Sequence, residues 1–230
     1  MAEAPGVLLL AHRGVHGAQP ENSLAALRAA FAAQGIKGVE FDVRHAADGT
    51  PIVLHDATLE RIQRWKVPAA SLTPGVLEGF GVPTLAAVLA VCPADAFLDV
   101  ELKERPTERT FAPLLAARGT ADGGLANAVI SAFEPESLAA VRVLQPGWPV
   151  WLNVEGALGE REIGSARDLG CAGISADVAL IDEVSAVAVA GAGLVLAAWT
   201  VRDRATLARL ESLGVIAACV EGDALPAPER

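Results

Sequence analysis

Short apolar runs rich in β-branched residues recur along the chain and alternate with longer segments in which apolar residues repeat every three or four positions. The short runs predict buried strands over residues 7–11, 38–43, 51–55, 97–102, 128–132, 149–154, 172–176, 194–201 and 216–220. The longer segments predict helices over residues 23–34, 84–91, 108–118, 135–144, 159–169, 181–190 and 204–213. This alternation is typical of a parallel sheet covered by helices.

One of the nine predicted strands does not fit a repeating strand–helix unit. The connection between 38–43 and 51–55 is shorter than a parallel crossover requires, and it contains Asp48-Gly49, a hairpin turn signal. We therefore predict that 51–55 is an antiparallel β-hairpin excursion after the second strand. The remaining eight units in 230 residues predict a single (β/α)8 barrel domain over residues 1–230, with a doubly wound open sheet as the alternative.

The longest stretch without clear periodicity is 61–82, and it is predicted to be a long loop, which in a compact domain is usually functional. Its apolar side chains form either a small core cluster over the barrel or an apolar lip for a substrate with an acyl chain. They are Ile62, Trp65, Val67, Leu72, Leu77 and Phe80.

Composition and charge narrow the class of protein. The chain is 52% hydrophobic and carries 18 basic against 28 acidic residues, a net charge of −10, which argues against a nucleic-acid partner. The first residues lack a basic leader and the apolar run at 7–11 is too short for a signal peptide or a membrane span, so we expect a cytoplasmic protein without a stable membrane anchor. Cys92, Cys171 and Cys219 lie far apart and predict buried reduced thiols rather than a disulfide or a zinc site.

Acidic side chains collect on two predicted strands. Glu40 and Asp42 share one face of the second strand, and Asp99 and Glu101 share one face of the next barrel strand with Lys103. Reacting groups of a barrel lie at the carboxyl ends of its strands, so these side chains are expected in one mouth. That much like charge is costly unless a cation binds there, and carboxylate oxygens suit Mg²⁺, Ca²⁺ or Mn²⁺. Asp99 is expected one layer deeper, paired with Lys103.

Two histidines also stand at strand ends, His12 after the first strand and His55 at the end of the hairpin. Two imidazoles beside a metal–carboxylate cluster can supply the base and the acid for cleavage of a phosphate ester near neutral pH. Arg13 and Lys103 would neutralise the phosphoryl oxygens. The residues therefore indicate acid–base chemistry on a phosphate ester.

Other polar and aromatic residues carry weaker indications. His16, in the first strand–helix loop, is expected near the mouth, whereas His45, near the hairpin turn, is expected in solvent. Residues that end the later strands either shape the pocket or belong to the core. They are Ser131, Phe133, Trp199 and Thr200.

Eight short motifs follow one another along most of the chain. They are His12-Arg13-Gly14, Glu21-Asn22-Ser23, Glu40-Phe41-Asp42-Val43, His55-Asp56-Ala57-Thr58-Leu59, Val82-Pro83-Thr84-Leu85, Glu101-Leu102-Lys103, Ser131-Ala132-Phe133 and Trp199-Thr200-Val201. In order and spacing this set resembles the glycerophosphodiester phosphodiesterases. The resemblance implies a (β/α)8 barrel and hydrolysis of small-molecule glycerophosphodiesters to sn-glycerol 3-phosphate and an alcohol.

The resemblance also implies roles for eight residues. Two histidines act as general acid and base, three carboxylates bind one divalent cation, two basic side chains contact the phosphate and a tryptophan forms a wall of the substrate pocket. In that order they are His12, His55, Glu40, Asp42, Glu101, Arg13, Lys103 and Trp199. The implied cation is Mg²⁺ or Ca²⁺, with Mn²⁺ as a further candidate.

The chain departs from the usual family pattern at four places. Ser23 keeps the hydroxyl of the usual Thr. Arg202 stands where Asn is common, and Val220-Glu221 stands where the last strand usually ends in Thr-Asp. Residues 61–64 replace an Arg-Thr-Thr stretch, so recognition of the leaving group is expected to differ.

Two other functions stay open at this point. A lysophospholipase D type phosphodiesterase would use the same barrel on diesters that carry an acyl chain, and hydrolysis of lysophosphatidylcholine distinguishes it. A catalytically silent barrel that only binds phosphodiesters would bind metal without turnover on any diester.

Overall fold

The computed structural model describes residues 6–226. Over this range eight parallel strands close into a barrel with helices outside it, and a ninth strand is bonded at the rim. The strands are β1 Leu8–His12, β2 Gly38–His45, β3 Pro51–Val53, β4 Phe97–Leu102, β5 Ala128–Ala132, β6 Val150–Val154, β7 Gly173–Asp177, β8 Val195–Val201 and β9 Ala217–Val220. Pairing of β1 with both β2 and β9 closes the ring. The predicted (β/α)8 barrel is confirmed, and the open sheet is excluded.

The ninth strand, β3, is the predicted hairpin excursion, and it pairs antiparallel with β2. It ends at Val53, earlier than predicted, so His55 lies in the loop that follows. The backbone N–H of Leu54 still donates to the Asp42 carbonyl at 2.9 Å. This bond keeps His55 close to the carboxyl end of β2.

Nine α-helices occur within residues 6–226, seven of them near the predicted positions. They are α1 Leu24–Ala32, α2 Glu60–Gln63, α3 Pro74–Gly79, α4 Leu85–Val91, α5 Glu108–Arg118, α6 Pro135–Leu144, α7 Glu160–Asp168, α8 Glu183–Gly191 and α9 Arg204–Ser212. Side chains that prefer helix N-caps begin several of them: Ser23 caps α1, Thr84 caps α4 and Asp203 caps α9. No helix in the described range combines the length and the apolar composition that crossing a membrane requires.

The prediction of a plain loop at 61–82 is wrong. The segment contains most of α2, all of α3 and a 3-10 turn at Ala69–Ser71. Helices of four and six residues are too short to produce a recognisable period. Leu72 and Leu77 pack on a small cluster with Ile52, which supports the cluster interpretation for these two side chains.

Side chains of the strands alternate between the helices and the barrel interior. Val39 and Phe41 pack outward in the main core. Inside the barrel, Leu10 belongs to a second cluster, which also contains Val129, Trp151, Ala197, Ala217 and Cys219. This apolar floor lies one layer below His12, because Leu10 and His12 are two positions apart on the same strand.

The predicted burial of the thiols holds for Cys171 and Cys219 but not fully for Cys92. Cys171 and Cys219 are buried, Cys92 is half-buried and all three are free thiols. Burial raises the pKa of Cys92 and of Cys171 to about 11. Neither of these two thiols is therefore an effective nucleophile near neutral pH.

A glycine at the start of β2 sets how closely the strands pack. A Cβ added at Gly38 would lie 2.1 Å from the carbonyl oxygen of Phe97 and 2.8 Å from a methyl carbon of Leu10. We expect Gly38→Ala to lower the free energy of unfolding by about 3 kcal/mol, because the backbone of β4 must move. The melting temperature should fall by roughly 6–12 °C.

The matched control is Gly164→Ala within α7, where an added Cβ meets nothing within 4 Å. This control should melt at or slightly above the wild-type temperature, since Ala is the better helix former. Equal melting temperatures for Gly38→Ala and wild type would show that the strands tolerate the added carbon.

Candidate active site at the carboxyl end of the barrel

Three acidic side chains converge at the carboxyl ends of β2 and β4. Asp42 lies opposite Glu101 in the parallel pairing of these strands, and Glu40 lies two residues before Asp42 on the same face. One carboxylate oxygen from each of the three residues lies within 4.8 Å of the others. All three side chains are buried. The structure thus brings together the carboxylates that the sequence placed in one cluster.

The electrostatics of this cluster favour a bound cation. Burial, followed by the charge of Asp42, raises the pKa of Glu40 well above its ordinary value and that of Glu101 to about 7. Burial also opposes ionisation of Asp42, but Arg13 and Lys103 outweigh it and lower the pKa of Asp42. Within the described residues, the buried Oε1 of Glu40 has no hydrogen-bond partner. A hard divalent ion matches this set of oxygen donors.

Arg13 and Lys103 lie on either side of Asp42. The Nε atom of Arg13 is 3.2 Å from Asp42 Oδ2, and Nζ of Lys103 is 3.2 Å from Asp42 Oδ1. Lys103 also forms an ion pair with Glu101. The backbone N–H of Arg13 donates to Glu40 Oε2 at 3.2 Å. The side chains of Arg13 and Lys103 both line the cavity, where they would contact an anionic group.

Asn22 is a further buried residue behind the cluster, and its role was not predicted from the sequence. Its side-chain amide donates to Asp42 Oδ2 at 2.7 Å. Asn22 directly precedes Ser23, the N-cap of α1, and has a positive φ of 59°. Its position in the Glu21-Asn22-Ser23 motif was the available signal, but the contact depends on how α1 sits against β2.

His12 lies beside the cluster at the end of β1. Its Nε2 atom is 3.7 Å from Glu40 Oε2, while Nδ1 donates to Glu221 at the end of β9. Burial lowers the pKa of His12 despite this hydrogen bond, so the imidazole is neutral near pH 7. Hydrogen bonds from His12 and His16 hold the pKa of Glu221 far below its ordinary value. An ionised carboxylate therefore fixes the ring orientation of His12.

Glu221 is the functional candidate that sequence reasoning missed. The sequence marked it only as a departure from the usual pattern. Arg202, a second departure, places its Nε atom 3.2 Å from Glu221 Oε2. The two unusual residues are therefore partners, and His16 lies 3.6 Å from the same carboxylate at the mouth, where it was expected.

His55 approaches the cavity from the loop after β3. Its Nδ1 atom donates to Asp56 Oδ1 at 2.7 Å. Burial lowers the pKa of His55, partly opposed by Asp42 and Asp56. Arg61 donates to the second oxygen of Asp56 at 2.6 Å and to Glu21 at 2.6 and 3.0 Å. This network ties the segment after the hairpin to the rim of the cavity.

The cavity has a volume of about 610 Å³ and includes both candidate histidines in its lining. Trp199 and Phe133 form one wall, in edge-to-face contact with ring centroids 5.3 Å apart. The indole N–H of Trp199 donates to the Ser175 carbonyl at 3.0 Å, which fixes the ring. Thr200 also lines the cavity. A small phosphodiester fits a space of this size.

Two predictions about individual residues are wrong. Asp99 does not pair with Lys103; it accepts a hydrogen bond from Ser131 at 2.6 Å, and burial raises its pKa to about 7. His45 is not solvated, because the first turn of α5 covers it: its Nε2 atom is 2.8 Å from the Thr110 hydroxyl. Neither residue belongs to the cavity lining.

Comparison with known proteins agrees with the geometry. Residues 12–221 match the Glycerophosphoryl diester phosphodiesterase family. The Bacillus subtilis (strain 168) protein YhdW, whose name places it among the glycerophosphodiester phosphodiesterases, is 27% identical over 229 residues, which cover 90% of this chain and 91% of that protein. Glycerophosphodiester phosphodiesterase 1 of Bos taurus is 49% identical over 55 residues, only 16% of its length and 24% of this chain.

A solved structure extends the likeness to the whole barrel. It is an Oleispira antarctica phosphodiesterase in complex with its product sn-glycerol-3-phosphate, and it is 25% identical to this chain. The superposition has a TM-score of 0.81 and covers 93% of this chain and 92% of that one.

Proposed function

Because the chain belongs to the glycerophosphoryl diester phosphodiesterase family, we propose that it hydrolyses glycerophosphodiesters to sn-glycerol 3-phosphate and an alcohol, using a divalent cation and two histidines. One observation carries this proposal: a single cavity is lined by His12 and His55, by Arg13 and Lys103, and by members of the three-carboxylate cluster. The product named for the Oleispira antarctica structure supports the substrate class. The direct test is metal-dependent release of sn-glycerol 3-phosphate.

Glu40, Asp42 and Glu101 would hold the cation. The buried oxygen of Glu40 that lacks a hydrogen-bond partner among the described residues, and the all-oxygen donor set, fit Mg²⁺, Ca²⁺ or Mn²⁺. When bound, the ion withdraws electron density from a phosphoryl oxygen and offsets the charge of the carboxylates.

Arg13 and Lys103 would bind the phosphate. Their side chains line the cavity on either side of Asp42 and carry charge at every pH of interest, since the pKa of each is raised by neighbouring carboxylates despite burial. Fixed positive charge at this place stabilises the phosphoryl oxygens as negative charge builds up in the transition state.

His12 and His55 would move the two protons of the reaction. Nε2 of the buried, neutral His12 accepts the proton of the attacking oxygen as the new P–O bond forms. The more exposed His55, in the imidazolium form whose Nδ1–H bonds Asp56, donates its Nε2 proton to the leaving alkoxide as the old P–O bond breaks. Proton exchange with water then restores both histidines to their starting forms. The products are sn-glycerol 3-phosphate and the free alcohol.

Glu221 would act as a positioning residue for His12. We expect Glu221→Gln to lower kcat by about 10- to 100-fold, because the amide no longer stabilises the imidazole tautomer that exposes Nε2 as a base. KM should change by less than about threefold, since the Glu221 carboxylate is already engaged by His12, His16 and Arg202. Initial rates over a range of glycerophosphocholine concentrations separate the two constants.

Two variants make this prediction specific. Glu221→Asp keeps the carboxylate and should retain more activity than Glu221→Gln. Glu155→Gln removes another carboxylate of the cavity lining and should leave kcat close to wild type. If Glu221→Gln and Glu155→Gln had equal effects, the hydrogen bond to His12 would have no special role.

A further inference from the structure

An exposed aromatic pair and its neighbours form a surface outside the cavity. Trp65 and Phe80 stack with ring centroids 4.9 Å apart, yet 38% of Trp65 and 41% of Phe80 remain exposed. Val76, one helical turn before Phe80, is exposed as well. Arg64 and Lys66 flank Trp65 in the chain, and both are exposed. We call these five residues the basic aromatic surface.

Charge separates this surface from the rest of the protein. The chain has a net charge of −10, but the seven residues that start at Arg61 include three basic and no acidic side chains. In the described part of the chain, Arg64 and Lys66 form no ion pair, whereas Arg61 is paired. Glu78 follows Val76 by two positions on α3, so it projects about 200° away around the helix.

The basic aromatic surface lies next to the candidate active site. Arg61, three residues before Arg64, is 2.6 Å from Glu21 and 2.6 Å from Asp56 at the rim of the cavity. Asp56 in turn accepts the hydrogen bond from His55. A partner bound to this surface would therefore sit beside the mouth of the barrel.

Local structure holds the surface in place. An antiparallel bridge between Thr58 and Pro68 closes the loop that carries Trp65. The N–H of Leu59 donates to the Val67 carbonyl at 3.0 Å within this loop. Leu77, on the same helix as Val76, is fully buried beneath the surface. The backbone that carries the exposed aromatic side chains is therefore held in place by hydrogen bonds and by the buried Leu77.

We propose that the basic aromatic surface docks the protein reversibly on an anionic phospholipid surface. Tryptophan and phenylalanine insert favourably at the boundary between lipid headgroups and acyl chains. Arg64 and Lys66 add attraction to anionic headgroups, about fivefold in affinity for each charge. The net charge of −10 does not prevent this, because physiological salt screens charges beyond about 8 Å.

Other occupants fit the observations less well. The exposed parts of Trp65, Val76 and Phe80 amount to roughly 250 Å², far below the ~800 Å² per partner that a stable dimer buries. Nucleic-acid binding draws on many phosphate contacts, and this surface offers only the two basic side chains Arg64 and Lys66. Binding to a lipid surface does not require shape complementarity with a second protein. The aromatic and the basic side chains would both contact the lipid.

Vesicle sedimentation tests the proposal, with equimolar phosphatidylglycerol and phosphatidylcholine compared with phosphatidylcholine alone at about 0.1 M salt. The wild-type chain should bind the anionic vesicles and not the neutral ones. The double variant R64E/K66E should bind at least 25-fold more weakly. Trp65→Ala should bind about tenfold more weakly, and the wild-type tryptophan emission should shift to the blue on binding.

The control R28E/R204E changes the net charge equally at two exposed positions on α1 and α9, and it should bind like wild type. R64E/K66E should keep the wild-type melting temperature, and the single variant Lys66→Glu, outside residues 61–64, should keep the wild-type rate on glycerophosphocholine, which excludes unfolding as the cause. Absence of wild-type binding, equal losses in both double variants or equal binding to neutral vesicles would overturn the proposal. Binding does not depend on turnover, so it can fail or succeed independently of the proposed function.

Discussion

The His12→Ala enzyme is expected to turn over glycerophosphodiesters about 10²- to 10⁴-fold more slowly than wild type, the range that loss of a general base produces. His12 is buried, neutral and oriented by Glu221, so its Nε2 atom is held in place to act as the base. His55→Ala should lose a similar factor because the leaving alkoxide then lacks its proton donor. Steady-state rates at saturating substrate report this loss in kcat.

The matched control is His45→Gln. His45 is also a partly buried histidine on β2, but it bonds Glu104 and Thr110 and lies outside the cavity. Glutamine can keep both hydrogen bonds, so the control should retain wild-type turnover. Near wild-type kcat in His12→Ala would remove His12 from the mechanism.

The second large effect is expected for Glu40→Gln. Removing a charged ligand from the carboxylate cluster should weaken divalent-cation binding by at least ~100-fold, since loss of an outer-shell partner alone costs 10- to 100-fold. Turnover should fall with it and recover in part at high metal concentration. Isothermal titration of the chelator-treated protein with Mg²⁺, Ca²⁺ and Mn²⁺ measures the affinity directly.

Asp99→Asn provides the control for this variant. Asp99 is equally buried and lies opposite Glu40 on the neighbouring strand, but it is not part of the three-carboxylate cluster. The metal affinity of the Asp99→Asn variant should stay within a few-fold of wild type. An unchanged affinity in Glu40→Gln would exclude Glu40 as a ligand.

The strand-borne part of the site was predictable because a strand fixes where its side chains point. Alternation along β2 places Glu40 and Asp42 on one face, and the carboxyl ends of parallel strands share one edge of the barrel. These two rules were sufficient to bring Glu101 and His12 to the same mouth. The fold was predictable because the turn signal Asp48-Gly49 identified one of the nine predicted strands as part of a hairpin. The other eight strands then gave the eight strand–helix units of a barrel.

Contacts that depend on distant elements were not predictable in this way. Glu221 reaches His12 only because β9 pairs with β1 when the barrel closes, with Val220 opposite Ala11. The partner of Asp99 depends on the rotamer of Ser131, and the burial of His45 depends on where α5 begins. None of these relations leaves a periodic pattern in the sequence.

Release of sn-glycerol 3-phosphate from glycerophosphocholine and glycerophosphoethanolamine is the most direct test of the proposed function. Chelator-stripped protein would be assayed alone and with added Mg²⁺, Ca²⁺ or Mn²⁺, and with lysophosphatidylcholine as the competing substrate. We predict no release without metal and release with at least one of the three ions. Absence of release with every ion, or equal release with and without metal, would contradict the account, and hydrolysis of lysophosphatidylcholine alone would favour the lysophospholipase D function instead.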